Sequence, residues 1–507
     1  MCHSPPDQRT LEPPTLSPNI VFMFSDQQRY DTLAAYGNDW IQTPNLNKLA
    51  ERSIVFERAY VTQPVCTPAR ASILTGLYPH TAGPIVNHIP LPADTKTFAE
   101  YLPDEYETAW FGKWHLGDDT VKQHGWKNWI SSEDGHHESY SSDELPLSDY
   151  HRYMESRGYK PEGTAPQGRA IFTSGQRSQM PPEDQMSHFL GRAAVDFIGR
   201  NADKPFALFL STFEPHSPYS GPYNELYDPA ELPVGPAFLQ QPESASLYHR
   251  TRASYYSKFL TEGGSRDDPY MREYLLDPDL TLDSELDWRV LRAKYLSNIT
   301  LVDDMAGMVL NALEANGLAD DTIVVFTSEH GEMAGDHCML EKRSLYEESA
   351  RVPLLMHVPG MDAGTRTVNG NISQVDLLPT LLELMGESAP TDIEGKSVAA
   401  TLESGGNLES NDVFMEWNGT GGLADRNLGS EDINLLNTAP WRGVVSGNWK
   451  FCYCPTDKNE LYNLADDPHE MTNLVDDPAH ADTVIRMAAR LREWSERTND
   501  TVPITVN

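Results

Sequence analysis

Residues 19–27 read NIVFMFSDQ, and this stretch decides the fold. Five apolar residues run together between Asn19 and Ser25. A short apolar run with polar flanks reads as a strand buried on both faces, the kind that opens a parallel sheet. Asp26 and Gln27 follow at once, two residues rich in oxygen acceptors. Open α/β sheets bind their ligands at the carboxyl ends of the strands, so these two side chains are candidates for a site.

The rest of the chain repeats the pattern. Residues 43–52 (TPNLNKLAER) predict a helix with Thr43 as N-cap and Pro44 in its first turn. A short strand at 108–111 leads into Gly112. A helical stretch near 191–200 precedes a buried strand at 204–212 (KPFALFLST). Long helical periodicity covers 288–316 and stops at Gly317, and a further buried strand follows at 322–328 (TIVVFTS). Another strand is expected at 352–358, before the Pro359-Gly360 turn. Strands alternating with helices to about residue 405 predict one large α/β unit with a mostly parallel sheet.

Two regions, 131–182 and 217–283, are rich in Pro, Gly, Ser, Asp and Tyr and read as long loops of the kind that wall a binding site. Residues 1–18 form a polar, proline-rich, flexible tail. From 406 to 507 the texture changes: short strands are expected at 413–417, 443–445 and 449–453, and a last helix at 480–498. This stretch reads as a small C-terminal α+β subdomain.

The 507 residues carry 75 acidic against 39 basic side chains, a net charge of -36. Nucleic acid and anionic membranes need a basic surface, so neither is expected as a partner. Against that field, each Lys or Arg near an anion site carries more meaning. Five cysteines are too few and too scattered for a disulfide framework. Cys452 and Cys454 read as ordinary structural residues. The first 18 residues lack the apolar core of a secretory signal, and no apolar run is long enough to span a bilayer. As it stands the sequence reads as cytoplasmic; an incomplete N-terminus would make it periplasmic or secreted.

Residues 64–76, PVCTPARASILTG, are the most specific string. Pro68 suits the first turn of a helix, so Cys66 stands at a helix N-terminus, where the dipole favours anionic groups. Arg70 follows one turn on and adds positive potential. Residues 111–117, FGKWHLG, place Lys113 and His115 on one side of an extended segment. Residues 214–219, EPHSPY, fix His216 between two prolines just after a buried strand. Residues 327–345, TSEHGEMAGDHCMLEKRSL, put Glu329 and His330 at the end of another strand and bring Lys342 after them.

Together, and in this order, these strings resemble the type I sulfatases of the alkaline phosphatase superfamily. The likeness runs from Asn19 to about Leu474, where residues 460–474 (ELYNLADDPHEMTNL) are similar to a C-terminal family string. The resemblance implies an alkaline-phosphatase-like α/β/α sandwich. It implies that Cys66, in Cys-x-Pro-x-Arg, is oxidised by a separate formylglycine-generating enzyme to formylglycine, whose hydrated aldehyde attacks sulfur. It gives Arg70 the support of that hydrate and Lys113 a contact to formylglycine and sulfate. His115 would take the proton that lets the aldehyde re-form. His216 and Lys342 would hold sulfate and serve the leaving oxygen.

The implied metal shell is Asp26, Gln27, Glu329, His330 and an oxygen of modified Cys66. Relatives carry Asp where this chain has Glu329, and many carry a second Asp at the place of Gln27. Glu is one methylene longer, so its carboxylate must turn or the strand end must shift. A shell of oxygen donors with two carboxylates points to Ca2+ ahead of magnesium or manganese.

The substrate is expected to be a sulfated small molecule or saccharide. Trp126, Trp129, Tyr140 and Tyr223 are candidate stacking surfaces for a sugar. Glu332, Asp336 and His337 could equally be solvated loop residues, and Cys338 has no assigned role. Two other readings stay open: a phosphonate monoester or phosphodiester hydrolase of the same superfamily, and an inactive sugar-binding relative.

Overall fold

The computed structural model describes residues 18–133, 147–164, 170–271, 280–361, 364–419 and 431–506. Among them the first strand is β1 (Asn19–Ser25), every residue of it buried. It is followed by β2 (Ile54–Tyr60), β3 (Glu107–Gly112), β4 (Asn128–Ser131) and a two-stranded hairpin, β5 (Gly163–Thr164) with β6 (Ala170–Ile171). Then come β7 (Phe206–Ser211), β8 (Thr322–Ser328), β9 (Arg351–Val352), β10 (Leu354–His357) and β11 (Arg366–Ser373). The main sheet has the order β11-β2-β10-β8-β1-β7-β3-β4, with β9 added beside β2.

β8, β1, β7, β3 and β4 run parallel in the middle and along one side. The interruption is β10, antiparallel to both β2 and β8. The single strand expected at 352–358 is therefore two strands, broken at Pro353, which has no N–H to give to a ladder. The sheet is mixed but mostly parallel. Three of its strands, β2, β4 and β11, lie outside the expected set. β2 and β11 carry Glu57, Arg58, Arg366 and Asn369, which break the apolar run that marks a buried strand.

Alternate residues of β1 feed two cores. Ile20, Phe22 and Phe24 face one side and Val21 and Met23 the other. Helices Met186–Arg200 and Glu285–Ala315 close the second side through Leu190, Phe197, Met305 and Val309. Helices Cys66–Thr75 and Leu377–Leu384 lie over the first through Ile73, Leu74, Leu378 and Leu381. The result is three layers, α/β/α, as the alkaline-phosphatase-like architecture requires.

A second sheet, β12 (Val413–Trp417), β13 (Trp441–Ser446), β14 (Trp449–Tyr453) and β15 (Glu460–Asn463), is antiparallel throughout. The final helix Ala481–Thr498 covers it, with Trp494 stacked on Phe414 at 5.3 Å between ring centroids. The two regions read as long loops contain more order than their composition suggests. Helices Asp149–Ser156, Ser174–Ser178 and Leu247–Glu262 lie within them. No helix among the described residues is long and apolar enough to cross a membrane.

One glycine governs how the sheet meets the site. Gly112 ends β3 at φ +113°, and a Cβ there would lie 1.9 Å from the carbonyl oxygen of Ser211 on β7. No side chain fits, because the next residue, Lys113, must turn out of the sheet with its N–H still bonded to Ser211 O at 3.0 Å. Gly112→Ala is expected to destabilise the protein by about 2–4 kcal/mol through overpacking and backbone strain. Urea denaturation with an unchanged slope and a lower midpoint checks this.

Candidate active site

The carboxyl ends of four neighbouring parallel strands supply most of the site. Asp26 and Gln27 leave β1, Glu329 and His330 leave β8, Lys113 leaves β3 and His216 follows β7. Helix Cys66–Thr75 brings its first residue to the same place, with Val65 as an extended N-cap and Gly76 closing the other end in the left-handed region. The loop after β8 returns Lys342. Every candidate site residue except His216, which is half-buried, is buried.

Asp26, Cys66, Glu329 and His330 each offer one ligand atom, and these atoms lie within 4.8 Å of one another. Cys66 Sγ is 3.3 Å from His330 Nε2 and 4.0 Å from Asp26 Oδ1. His330 Nε2 lies 3.6 Å from Asp26 Oδ1 and 3.4 Å from Glu329 Oε1. Two observations fit a divalent cation here. Both carboxylate oxygens of Glu329 are buried; Oε2 is ion-paired with Arg70 Nε, while Oε1 accepts no hydrogen bond and faces His330 Nε2 at 3.4 Å, which leaves its lone pairs for a cation. Burial pulls the His330 pKa down, yet Cys66 and Glu329 push it up to about 9, the mark of a surrounding negative potential that suits a cation. Oxygen and imidazole donors suit a hard or borderline divalent ion.

The Glu329 carboxylate is divided between two neighbours. One oxygen stays beside His330, and the other pairs with Arg70 Nε. Arg70 is fixed from its other end, where Nη1 donates to Lys113 O and Ser211 Oγ, both at 2.7 Å. Lys113 Nζ pairs with Asp26 Oδ2 at 2.7 Å. Burial alone would raise the Asp26 pKa; the Lys113 charge holds it well below the usual carboxylate range. The Lys113 ammonium is stabilised in turn, chiefly by Asp26 against the cost of burial.

On the far side Lys342 Nζ donates to Gln27 Oε1 at 2.6 Å and approaches His216 Nε2 at 2.7 Å. Burial and the Lys342 charge push the His216 pKa well down, so its Nε2 carries a lone pair while Nδ1 faces Ser217 O at 2.7 Å. Gln27 thus stands beside the ligand group with its amide oxygen held by Lys342. His115 is buried, with its backbone N–H on Asp119 Oδ1 at 2.7 Å, its carbonyl on Thr67 Oγ1 at 2.9 Å, and its ring against His88 at 5.3 Å between centroids. The structure links Asp26, Cys66, Glu329, His330, Arg70 and Lys113 in one cluster, joins Gln27, Lys342 and His216 to one another, and ties His115 to Thr67 through its backbone.

Other expectations are corrected. Trp126 is no sugar platform: it is buried among Trp110 and Phe209. Trp129 packs edge-on against Trp114 and is half-buried, and the Tyr223 hydroxyl donates to Asp304 at 2.9 Å. Tyr140 lies outside the described residues. Asp336 is not a solvated loop residue but pairs with Arg29 at 2.7 Å and Arg292 at 3.0 Å, which hold its pKa, despite burial, at about 2. His337 is buried and stacked on Tyr346 at 4.1 Å. Glu332 is buried as well. Cys338, Cys452 and Cys454 are buried free thiols. Ser211, Tyr219, Asp119 and Glu332 were absent from the sequence-derived site; only the spacing of Glu332, two after His330 on an extended segment, could have pointed to one of them.

Comparison with known proteins agrees with this geometry. The family model described as Sulfatase matches residues 18–387, and one described as N-sulphoglucosamine sulphohydrolase, C-terminal, matches residues 335–497. An ulvan-active sulfatase of Formosa agariphila is 30% identical over 401 residues, 76% of this chain and 65% of that protein. An N-acetylglucosamine-6-O-sulfatase of Bacteroides thetaiotaomicron is 28% identical over 419 residues, 77% of this chain and 72% of that one. Among solved structures, a phosphonate monoester hydrolase from Silicibacter pomeroyi superposes with a TM-score of 0.77 at 24% identity, covering 96% of both chains. A structure in complex with its substrate D-glucosamine-2-N,6-O-disulfate gives 0.73 at 24% identity, covering 97% of this chain and 100% of that one.

Removing one carboxylate should separate metal binding from folding. Asp26→Asn is expected to lower Ca2+ affinity at least about tenfold, since a ligand charge is lost from the cluster. Isothermal titration calorimetry on metal-free protein reads it.

Proposed function

The chain belongs to the sulfatase family and is a sulfuric ester hydrolase of the alkaline phosphatase superfamily, and from that premise we propose that it hydrolyses a sulfate ester of a carbohydrate through a formylglycine made from Cys66. One observation carries the reading. In a chain of net charge -36, the buried pocket around Cys66 collects three cationic side chains, Arg70, Lys113 and Lys342, beside a metal-type ligand group. A concentration of fixed positive charge in a water-poor pocket stabilises a sulfuryl group whose charge grows in the transition state.

Asp26, Glu329, His330 and the modified side chain of residue 66 would hold the cation, with the amide oxygen of Gln27 beside them. Ca2+ suits the oxygen donors best. The cation would neutralise sulfate oxygens and favour the ionised form of the nucleophile. Formylglycine, once hydrated, supplies an oxygen nucleophile, and its carbonyl re-forms as sulfate departs. The chain's own residues do the rest. Arg70, braced by Lys113 O and Ser211 Oγ, keeps positive potential under the helix start. Lys113 binds the oxygens around residue 66. Lys342 and His216 hold sulfate and bring a proton to the departing oxygen. His115 takes the proton from the remaining hydroxyl of the hydrate.

The carbohydrate assignment is supported by relatives named for ulvan and for N-acetylglucosamine-6-O-sulfate at 28–30% identity. A choline-sulfatase of Rhizobium meliloti at 27% identity marks the small-molecule alternative. A second reading is phosphonate monoester or phosphodiester hydrolysis, since phosphonate monoester hydrolases share this fold at 24% identity.

Two measurements test these statements. Protein made with a formylglycine-generating enzyme should give a Cys66 peptide lighter by about 18 Da, the change from CH2SH to CHO. Cys66→Ser should keep its fold and lose at least about 10³-fold in turnover; wild-type rates from that variant would refute the mechanism. Wild-type rates on 4-nitrophenyl sulfate and on phenyl phosphonate 4-nitrophenyl ester should favour the sulfate. The reverse order selects the second reading.

A further inference from the structure

Glu332 sits two residues beyond His330, is wholly buried, and makes four polar contacts that divide cleanly between its two oxygens. Oε1 accepts from the backbone N–H of Ala334 at 2.9 Å and of Glu341 at 2.6 Å. Oε2 accepts from the Tyr219 hydroxyl at 2.8 Å and from Gln27 Nε2. Gln27 Nε2 also reaches the Tyr219 oxygen at 3.1 Å. No ammonium or guanidinium pairs with Glu332 among these contacts, so the carboxylate spends its lone pairs on positioning neutral donors.

The consequence lies at the other end of the Gln27 amide. Its nitrogen must face the acceptor, Glu332, so its oxygen must face Lys342. Lys342 Nζ indeed donates there at 2.6 Å, and a second contact takes it to His216 Nε2 at 2.7 Å. Glu332 holds the same lysine from the backbone as well, since Glu341 is its neighbour in sequence. Gln27 itself is pinned in a left-handed conformation at φ 71°, with its carbonyl taken by the Tyr295 hydroxyl at 2.8 Å, so only the amide torsion is free to choose a direction.

We infer that Glu332 is a positioning residue that sets the direction of the Gln27 amide and through it aims Lys342 at His216. The inference rests on the proposed role of Lys342 and His216 at the leaving oxygen. It follows from donor and acceptor polarity along one chain: carboxylate, amide N–H, amide C=O, ammonium, imidazole lone pair. Glu332→Gln reverses that chain while barely changing shape. Its single oxygen is claimed by the two backbone N–H groups, so its NH2 faces the Gln27 NH2. Two donors cannot share the contact, and the Gln27 amide flips, turning its NH2 toward Lys342 and repelling it. Adding Gln27→Glu restores the polarity: the new carboxylate accepts from the amide introduced at position 332 on one side and from Lys342 on the other. The pair of changes leaves the net charge as it was.

The experiment compares wild type, Glu332→Gln and Glu332→Gln/Gln27→Glu. A group that serves the departing oxygen matters most when that oxygen is a poor leaving group. Glu332→Gln should lose at least about 100-fold in kcat on glucose 6-sulfate and less than about tenfold on 4-nitrophenyl sulfate, and the double variant should recover most of the difference. A crystal structure of each variant reads the same event without turnover. Lys342 Nζ should leave its wild-type position by about 1 Å or more in the single variant and return in the double. An equal loss on both esters, no recovery in the double variant, or an unmoved Lys342 overturns the inference. If the wild type cleaves neither ester, the proposed function fails and the crystal structures still decide the role of Glu332. Should Glu332→Gln not fold, Glu332→Asp draws the carboxylate back from the Gln27 amide while keeping its charge, and must show the same displacement and the same dependence on the leaving group.

Discussion

Asp26 and Glu329 bring two carboxylates into one water-poor pocket, and the rest of the site depends on meeting that cost. Desolvating each ion costs several kcal/mol in a real protein, so neither stays ionised without a partner. Lys113 answers Asp26 and Arg70 answers Glu329. These cations are then unable to wander, because Arg70 is bonded to Lys113 O and Ser211 Oγ, and Lys113 is hung from the sheet at Ser211. The same pairs that answer the ligand carboxylates place positive charge around Cys66. Structural necessity and catalytic need are met by one set of contacts.

The parallel sheet explains why so few residues suffice. β8, β1, β7 and β3 are neighbours and point the same way, so their carboxyl ends open onto one strip. A residue or two past each end is enough to reach a common point. Helix Cys66–Thr75 faces the strip with its N-terminus, where the helix dipole favours an anion. Gly112 shows how tight this convergence is: β3 and β7 come so close at their ends that no Cβ fits between them.

Beyond the ligand group, polarity is handed along hydrogen bonds. Glu332, the Gln27 amide, Lys342 and His216 form one line: Gln27 Nε2 gives to Glu332, and Lys342 Nζ reaches both Gln27 Oε1 and His216 Nε2. In a pocket of low dielectric an unmet donor costs about 1–3 kcal/mol, so the direction of such a line is strongly set. Asp336 and His337, on the same loop, serve a different purpose: the first ties Arg29 and Arg292 together and the second stacks on Tyr346, fastening the loop that returns Lys342.

The sequence by itself determined the α/β class, the strands at 19–25, 206–211 and 322–328, the C-terminal strands and helix, and the strings that carry Asp26, Cys66, Glu329 and His330, whose ligand atoms meet. These were legible because buried strands are apolar without a break and because the chemistry-bearing strings are local. What only the tertiary structure decided has a common cause: it depends on partners distant in the chain. The antiparallel β10, the polar strands β2 and β11, and the burial of Trp126 follow from neighbours hundreds of residues away or across the sheet. So does the setting of Glu329, whose carboxylate pairs with Arg70, and the place of Glu332, whose meaning comes from Gln27, 305 residues earlier. Local pattern tells which face of an element is buried; only the packed chain tells which charge or donor waits there.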